Sequence, residues 1–225
     1  MNKLGNELII IIQNSLLSWY TEFGRKYPWR ETKNPYFVLV IEKLLQQTSI
    51  RDSIVEIYNY LIRKYPEPSA LAKADPEELS DLIQPLGLHY RVRDFILMAK
   101  DINEKYGNVV PSDLKSLLSI YGIGDYSARA VLSFAFEQDI PVVDTNIARI
   151  LFRVFELPGN MPANPARNRL LIELMGGLIP EGNSRNFNWG MIDLGSLVCK
   201  SSNPNCDKCP LQDLCAYYQA NRQYK

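Results

Sequence analysis

The chain reads as an all-α protein on three observations. Strict alternation of apolar and polar residues is scarce, and apolar residues recur mostly at three- and four-residue spacing. Short segments rich in Pro, Gly, Asn and Asp break that periodicity at regular intervals. Capping residues stand where helices should begin, with Asp75 and Ser112 at N-cap positions and Pro76 at a first helical position.

The elements follow in order. A first helix over roughly 6–23 starts in the apolar run Leu8–Ile12 and continues amphipathically through Leu16, Leu17, Trp19 and Tyr20. Lys33-Asn34-Pro35 separates it from a helix over 36–46, and another follows over 50–64. The Tyr65-Pro66-Glu67-Pro68 break leads into 68–72, then 76–83 behind its Asp75 cap. A helix over 88–105 ends at Tyr106-Gly107-Asn108, and Ser112 opens one over 112–120. After a glycine turn come helices over 125–136 and 144–155, the latter closed by Leu157-Pro158-Gly159-Asn160. Further helices are predicted over 164–178, 186–197 and 210–219. There is no internal repeat and no low-complexity segment.

Composition narrows the class. With 225 residues, 46% hydrophobic and 22% charged, the chain has the balance of a soluble globular protein of one domain or two lobes. The Leu8–Ile12 run is too short to span a bilayer and is broken by Gln13 and Asn14, and no cleavable signal is evident, so no membrane partner is expected. The expected compartment is cytoplasmic, where thiols stay reduced. A formal net charge of zero argues mildly against a nucleic-acid binder, although Arg129, Arg149 and Arg153 could form a local basic patch.

The four cysteines are the most specific feature. Cys199, Cys206, Cys209 and Cys215 have the spacing C-x6-C-x2-C-x5-C, and the chain holds no others. Thiols gathered in so short a segment suit a metal centre better than scattered disulfides. Structural zinc modules usually pair two tight knuckles, and here Cys206 and Cys209 make only one. The outer cysteines reach far enough to embrace something larger than one ion, which favours a [4Fe-4S] cluster over zinc or free thiols.

Two other stretches invite a functional reading. Gly122-Ile123-Gly124 permits a tight turn with positive φ, exposing N–H groups at the start of the next helix. Such a turn can bind a phosphate or be a plain helix–helix connection. Asp144 opens a helix directly after Pro141-Val142-Val143, which makes it an N-cap, a functional acid or both.

Together these stretches resemble the helix-hairpin-helix DNA glycosylases of the endonuclease III superfamily, across about residues 15–219. The match rests on the hairpin, on Val143-Asp144-Thr145-Asn146 and on the cysteine spacing. Pro28-Trp29-Arg30 with Asn34-Pro35-Tyr36 resembles the N-terminal signature of the adenine and mismatch-thymine branches. Glu42-Lys43-Leu44-Leu45-Gln46-Gln47-Thr48 resembles their acid-bearing helix, and Phe187–Asp193 resembles the segment before the cluster.

The resemblance implies two helical lobes with a DNA-binding groove between them. One comprises 29–137 and ends in the hairpin; the other combines 1–28 with 138–225 and carries a [4Fe-4S] cluster on Cys199, Cys206, Cys209 and Cys215. It also implies a monomer acting on double-stranded DNA that contains a mismatched or damaged base, nucleoid-associated in a prokaryote. Asp144 would stabilise oxocarbenium charge on the sugar or orient water, and Glu42 would act on the base or a bound water. Where the superfamily's lyases carry an amine, this chain has Tyr126, and a phenol cannot form an imine. The implied enzyme is therefore a glycosylase that leaves an intact abasic site.

Base flipping requires a wedge and a filler. Gln47 and the Leu88-His89-Tyr90 turn are candidates, beside Trp29, Arg30, Thr48, Gly122, Gly124, Asn146, Arg149 and Asp193 as DNA- or base-contacting residues. The chain's length, Tyr126 and Arg185-Asn186-Phe187-Asn188 favour thymine or uracil opposite guanine. Gln46-Gln47-Thr48 and Met191–Gly195 resemble the adenine branch instead, which acts opposite guanine or 8-oxoguanine. The hairpin departs from the family pattern at Tyr121, usually proline, and at Asp125, an acid that costs phosphate affinity unless it points away. The competing classes are a non-catalytic iron–sulfur DNA-binding or damage-sensing module, and a zinc-stapled helical interaction protein.

Overall fold

The computed structural model describes residues 5–46, 52–87 and 91–222, and all regular structure among them is helical. The helices are α1 (Asn6–Phe23), α2 (Pro35–Leu45), α3 (Asp52–Lys64), α4 (Pro68–Leu71), α5 (Pro76–Ile83), α6 (Val92–Tyr106), α7 (Leu114–Leu118), α8 (Asp125–Phe134), α9 (Thr145–Phe155), α10 (Arg169–Gly176), α11 (Ser184–Leu197) and α12 (Ala216–Asn221). None of them is long and apolar enough to cross a membrane. The chain forms two compact units, Lys26–Phe136 and Met1–Arg25 with Glu137–Lys225.

In the unit 26–136, α2 is the central element. Asn34 caps it by accepting from the N–H groups of Tyr36 (3.0 Å) and Phe37 (3.4 Å), with Pro35 preset at the first position. Every residue from Val38 to Leu44 is buried, so this helix is covered on all sides. Helix α8 packs against it, where the buried small residues Ser127, Ala128 and Ala130 permit close approach. Helix α6 turns Phe95, Met98, Ala99 and Ile102 inward at helical spacing and packs on α4.

In the other unit, α11 packs on both α1 and α9. Ile12, Leu16 and Trp19 of α1 join Ile147, Leu151 and Val154 of α9 and Phe187, Met191 and Leu194 of α11 in one core, which extends to Leu211 and Cys215. A Cβ at Gly195 would stand 2.7 Å from the Cβ of Asn146, so α11 meets the start of α9 only because residue 195 is glycine.

Several predicted boundaries move. The helix expected over 112–120 is Leu114–Leu118, and its cap is Asp113, accepting from Ser116 N–H at 2.9 Å, rather than Ser112. The stretch 164–178 splits into a 3-10 turn at Pro165–Arg167 and α10, because Asn168 leaves the helical region and caps a new start. The stretch 210–219 becomes a 3-10 turn at Gln212–Leu214 and the short α12, as the chain bends to bring the cysteines inward.

Candidate active site and cysteine cage

Asp144 ends an extended segment that a buried asparagine holds in place. Asn188, fully buried on α11, accepts from Val142 N–H (3.0 Å) and donates to Ile140 O (2.9 Å) and Ser184 Oγ (3.1 Å). Asn188 thus satisfies Val142 N–H and Ile140 O where the segment has no sheet partner. Asp144 then caps α9: Oδ1 accepts from Ile147 N–H at 2.7 Å, and Oδ2 accepts from Asn146 Nδ2 at 2.9 Å. The carboxylate is half-buried and fixed by two donors.

A relay runs outward from this acid. Arg149 Nη2 donates to Asn146 Oδ1 and to Gly195 O, both at 2.8 Å, and its Nε donates to Cys199 O at 2.8 Å. One guanidinium therefore ties the cap of α9 to the end of α11 and to the first cysteine. One turn later, Arg153 donates to Lys200 O (2.6 Å), to Ser201 O (2.9 Å) and toward Cys199 Sγ (3.4 Å), and it stacks on Tyr217 with its guanidinium carbon 4.8 Å from the ring centre. Both arginines thus spend donors within their own unit, Arg149 on Asn146, Gly195 and Cys199 and Arg153 on Lys200 and Ser201. Arg129 on α8 has a buried Nε with no hydrogen-bond partner among the described residues.

Two further residues need correction. Asp193, expected near a base, is fully buried and bound to Arg25. Its Oδ1 meets both Nε and Nη2 of Arg25 at 2.7 Å, and its Oδ2 accepts the Arg25 backbone N–H at 2.8 Å. A carboxylate so satisfied anchors the end of the α1 segment to α11 and has no free face for a base. Trp29 is 6% exposed, stacked on Tyr27 at 4.6 Å and edge-on to Tyr58 at 5.5 Å, so it is core. Arg30 lies over the Tyr27 ring at 5.5 Å. Gln47, Thr48, His89 and Tyr90 lie outside the described residues.

In the unit 26–136, Glu42 is 8% exposed on α2, and Tyr126 is half-buried in the first turn of α8. The hairpin adopts the turn that its glycines allow. Gly122 has φ +70°, Ile123 is buried as its plug, and Gly124 is the N-cap of α8, where no side chain occupies the cap.

The cysteines fit a metal centre. All four line one hollow with Ile150, Val154, Leu194, Val198 and Leu211. Burial pushes the Cys209 thiol up to about 12, with the other three sulfurs adding to the rise, and burial pushes Cys215 up as well. Four thiols near enough to influence one another inside an apolar pocket are a donor set for a metal cluster. No three Cys, His, Asp or Glu among the described residues are arranged to hold a single ion.

The sequence concealed Asn188, Arg25 and the Asn146–Arg149 relay as positioning elements. A buried asparagine amid Phe187 and Trp189 was the one available signal, since a polar side chain inside an apolar run needs internal partners.

The chain is similar to known proteins along most of its length. Residues 40–173 match the profile of HhH-GPD superfamily base excision DNA repair proteins, and residues 199–215 match the iron–sulfur binding domain of endonuclease III. The chain is 36% identical over 211 residues to a thymine-DNA glycosylase of Aeropyrum pernix, covering 92% of this chain and 94% of that one. It is 31% identical over 217 residues to an adenine DNA glycosylase of Buchnera aphidicola, covering 96% of this chain and 61% of that one. Among solved structures, a thermostable thymine-DNA glycosylase superposes with a TM-score of 0.88 at 30% identity, covering 96% of this chain and 98% of that one.

Proposed function

We propose a function from one premise: the chain belongs to the HhH-GPD superfamily of base excision DNA repair proteins. It is a DNA glycosylase that hydrolyses the N-glycosidic bond of a mispaired base flipped out of duplex DNA. The base is thymine or uracil opposite guanine, and the product is an unbroken strand with an abasic site. The observation that carries this reading is the carboxylate of Asp144, held by Ile147 N–H and Asn146 at the head of α9.

Each role follows from chemistry. Departure of the base builds positive charge on the sugar, and a carboxylate fixed in advance stabilises that charge without reorganising. Asp144 is that group. Glu42, nearly removed from solvent, assists the leaving base or activates a water. Tyr126 occupies the position where an amine would capture the sugar; its phenol can hydrogen-bond the sugar but cannot form a Schiff base. The N-terminus of α8, whose N-cap Gly124 makes no side-chain cap bond, is the place for a DNA phosphate.

Cys199, Cys206, Cys209 and Cys215 hold the iron–sulfur group, which we take to be [4Fe-4S]. A single zinc fits the spacing less well, because only Cys206 and Cys209 form a tight pair. When bound, the group supplies structure, since hydrolysis includes no redox step. It organises the exposed 200–205 loop and Lys208 for contact with the phosphate backbone. The identity to an adenine DNA glycosylase supports a second reading, excision of adenine opposite guanine or 8-oxoguanine.

Single-turnover excision on duplexes bearing G·T, G·U, A·G and A·8-oxoguanine decides between the two. Faster release from G·T and G·U is expected. Release confined to the adenine pairs would assign the second reading, and no release from any pair would leave a non-catalytic DNA-binding protein.

A further inference from the structure

Lys43 follows Glu42 on α2 and is 3% exposed. Burying an ammonium is unfavourable unless charge and hydrogen bonds meet it. Here both do. Nζ lies 3.2 Å from Asp94 Oδ2 of α6 and donates to Gly122 O, also at 3.2 Å. Gly122 is the φ +70° residue of the hairpin, and a Cβ there would stand 2.5 Å from Nζ. Glycine is therefore required twice, for its backbone and for the space the ammonium occupies. Helix α6 and its N-cap residue Arg91 brace the arrangement on both sides. Arg91 Nη1 donates to Lys43 O at 3.4 Å, and Asp101 Oδ2 accepts Tyr121 N–H at 2.8 Å while paired with Lys105 at 2.7 Å.

We propose that Lys43 is a positioning residue for DNA engagement: its ammonium, braced by Asp94, locks the Gly122–Gly124 turn onto the helix that carries Glu42. The grip on a phosphate and the placement of the acid are thereby set together. The direction toward DNA rests on the function proposed above; the clamp itself rests on the three contacts of Lys43.

The test uses the full-length, cluster-loaded protein, a fluorescein-labelled, fully paired duplex, and hydrogen exchange of the hairpin peptide 117–126. Asp94→Asn is the informative variant. Removing a half-exposed acid should tighten DNA binding if charge alone matters, whereas the clamp requires weaker binding and faster hairpin exchange. Lys43→Met should lower duplex affinity about tenfold and reduce the salt slope by about one. Lys43→Arg, which keeps a cation for Asp94 and a donor for the carbonyl, should recover most of that loss. Exchange in 137–222 should not change. The clamp is overturned if Asp94→Asn binds as tightly as the wild type or tighter, or if affinity falls with hairpin exchange unchanged. If Lys43→Met fails to fold, Asp94→Asn decides alone. Neither readout requires excision, so a wild type that releases no base would defeat the proposed function and leave the clamp standing.

Discussion

Asp144 has two jobs that a pair of substitutions can separate. Asparagine caps a helix about as well as aspartate, whereas alanine does not. Asp144→Asn should therefore keep the wild-type melting temperature while lowering single-turnover excision on the order of a thousandfold. Asp144→Ala should lose the same activity and, in addition, about 1 kcal/mol of stability. Equal stability of the two variants would show that the Ile147 N–H contact contributes nothing to α9. Asn146 is the next residue out. Its amide fixes Asp144 Oδ2 at 2.9 Å, and Arg149 fixes Asn146 in turn. With Asn146→Ala the carboxylate keeps its cap bond but can swing about it. A misplacement of this kind costs on the order of a hundredfold in rate. The loss should appear in the excision rate, with duplex affinity retained; a loss confined to affinity would place Asn146 on the DNA rather than behind the acid.

At the scale of elements, α1 is fastened to α11 by an ion pair that neither helix announces. Arg25 and Asp193 are 168 positions apart, and the aspartate is fully buried. Arg25→Met removes the cation from a fully buried carboxylate. Breaking such a pair costs about 3 kcal/mol. Denaturant unfolding should show that loss, and a change within error would mean that water replaces the guanidinium. This pair also marks where sequence reading stops. Helix periodicity and proline or glycine breaks are local, so α1, α5, α8 and α9 are legible almost to the residue. The start of α7 is not, because Ser112 and Asp113 are both competent caps and only the backbone chooses between them. Asp193 reads as a pocket acid because its spacing along α11 says nothing about Arg25. Arg149 and Arg153 read as DNA contacts because a sequence shows their charge, not the carbonyls of Gly195, Cys199 and Lys200 that absorb their donors. The cysteines were legible because ligand spacing is itself local.

For the molecule as a whole, zero net charge conceals an alkaline weakness. Burial raises the phenols of Tyr36 and Tyr58 well above the ordinary tyrosine range. The unfolded chain releases these protons near pH 10, whereas the folded unit 26–136 does not. Their folded-state values are raised, so the stability they contribute is complete below about pH 10 and is lost as pH climbs toward the folded values. Urea midpoints of the cluster-loaded protein should fall steeply above about pH 10, with Tyr58→Phe flattening the fall. An unchanged alkaline slope in that variant would assign the weakness elsewhere. The cluster-bearing unit contributes differently: the apolar hollow that raises Cys209 and Cys215 offers no stable place for free thiolates, so metal loading and folding of residues 199–215 should be coupled.

Strand integrity after base release tests the central claim most directly. Wild-type protein is incubated in single turnover with an end-labelled G·T or G·U duplex, and half of each sample is treated with hot alkali before denaturing electrophoresis. Asp144 with Tyr126 in place of an amine predicts a cut at the mismatched base in the alkali-treated half and an intact strand in the other. Equal cutting in both halves would mean that an amine captures the sugar and the assignment of Tyr126 is wrong; full-length strands in both would mean that no base is excised.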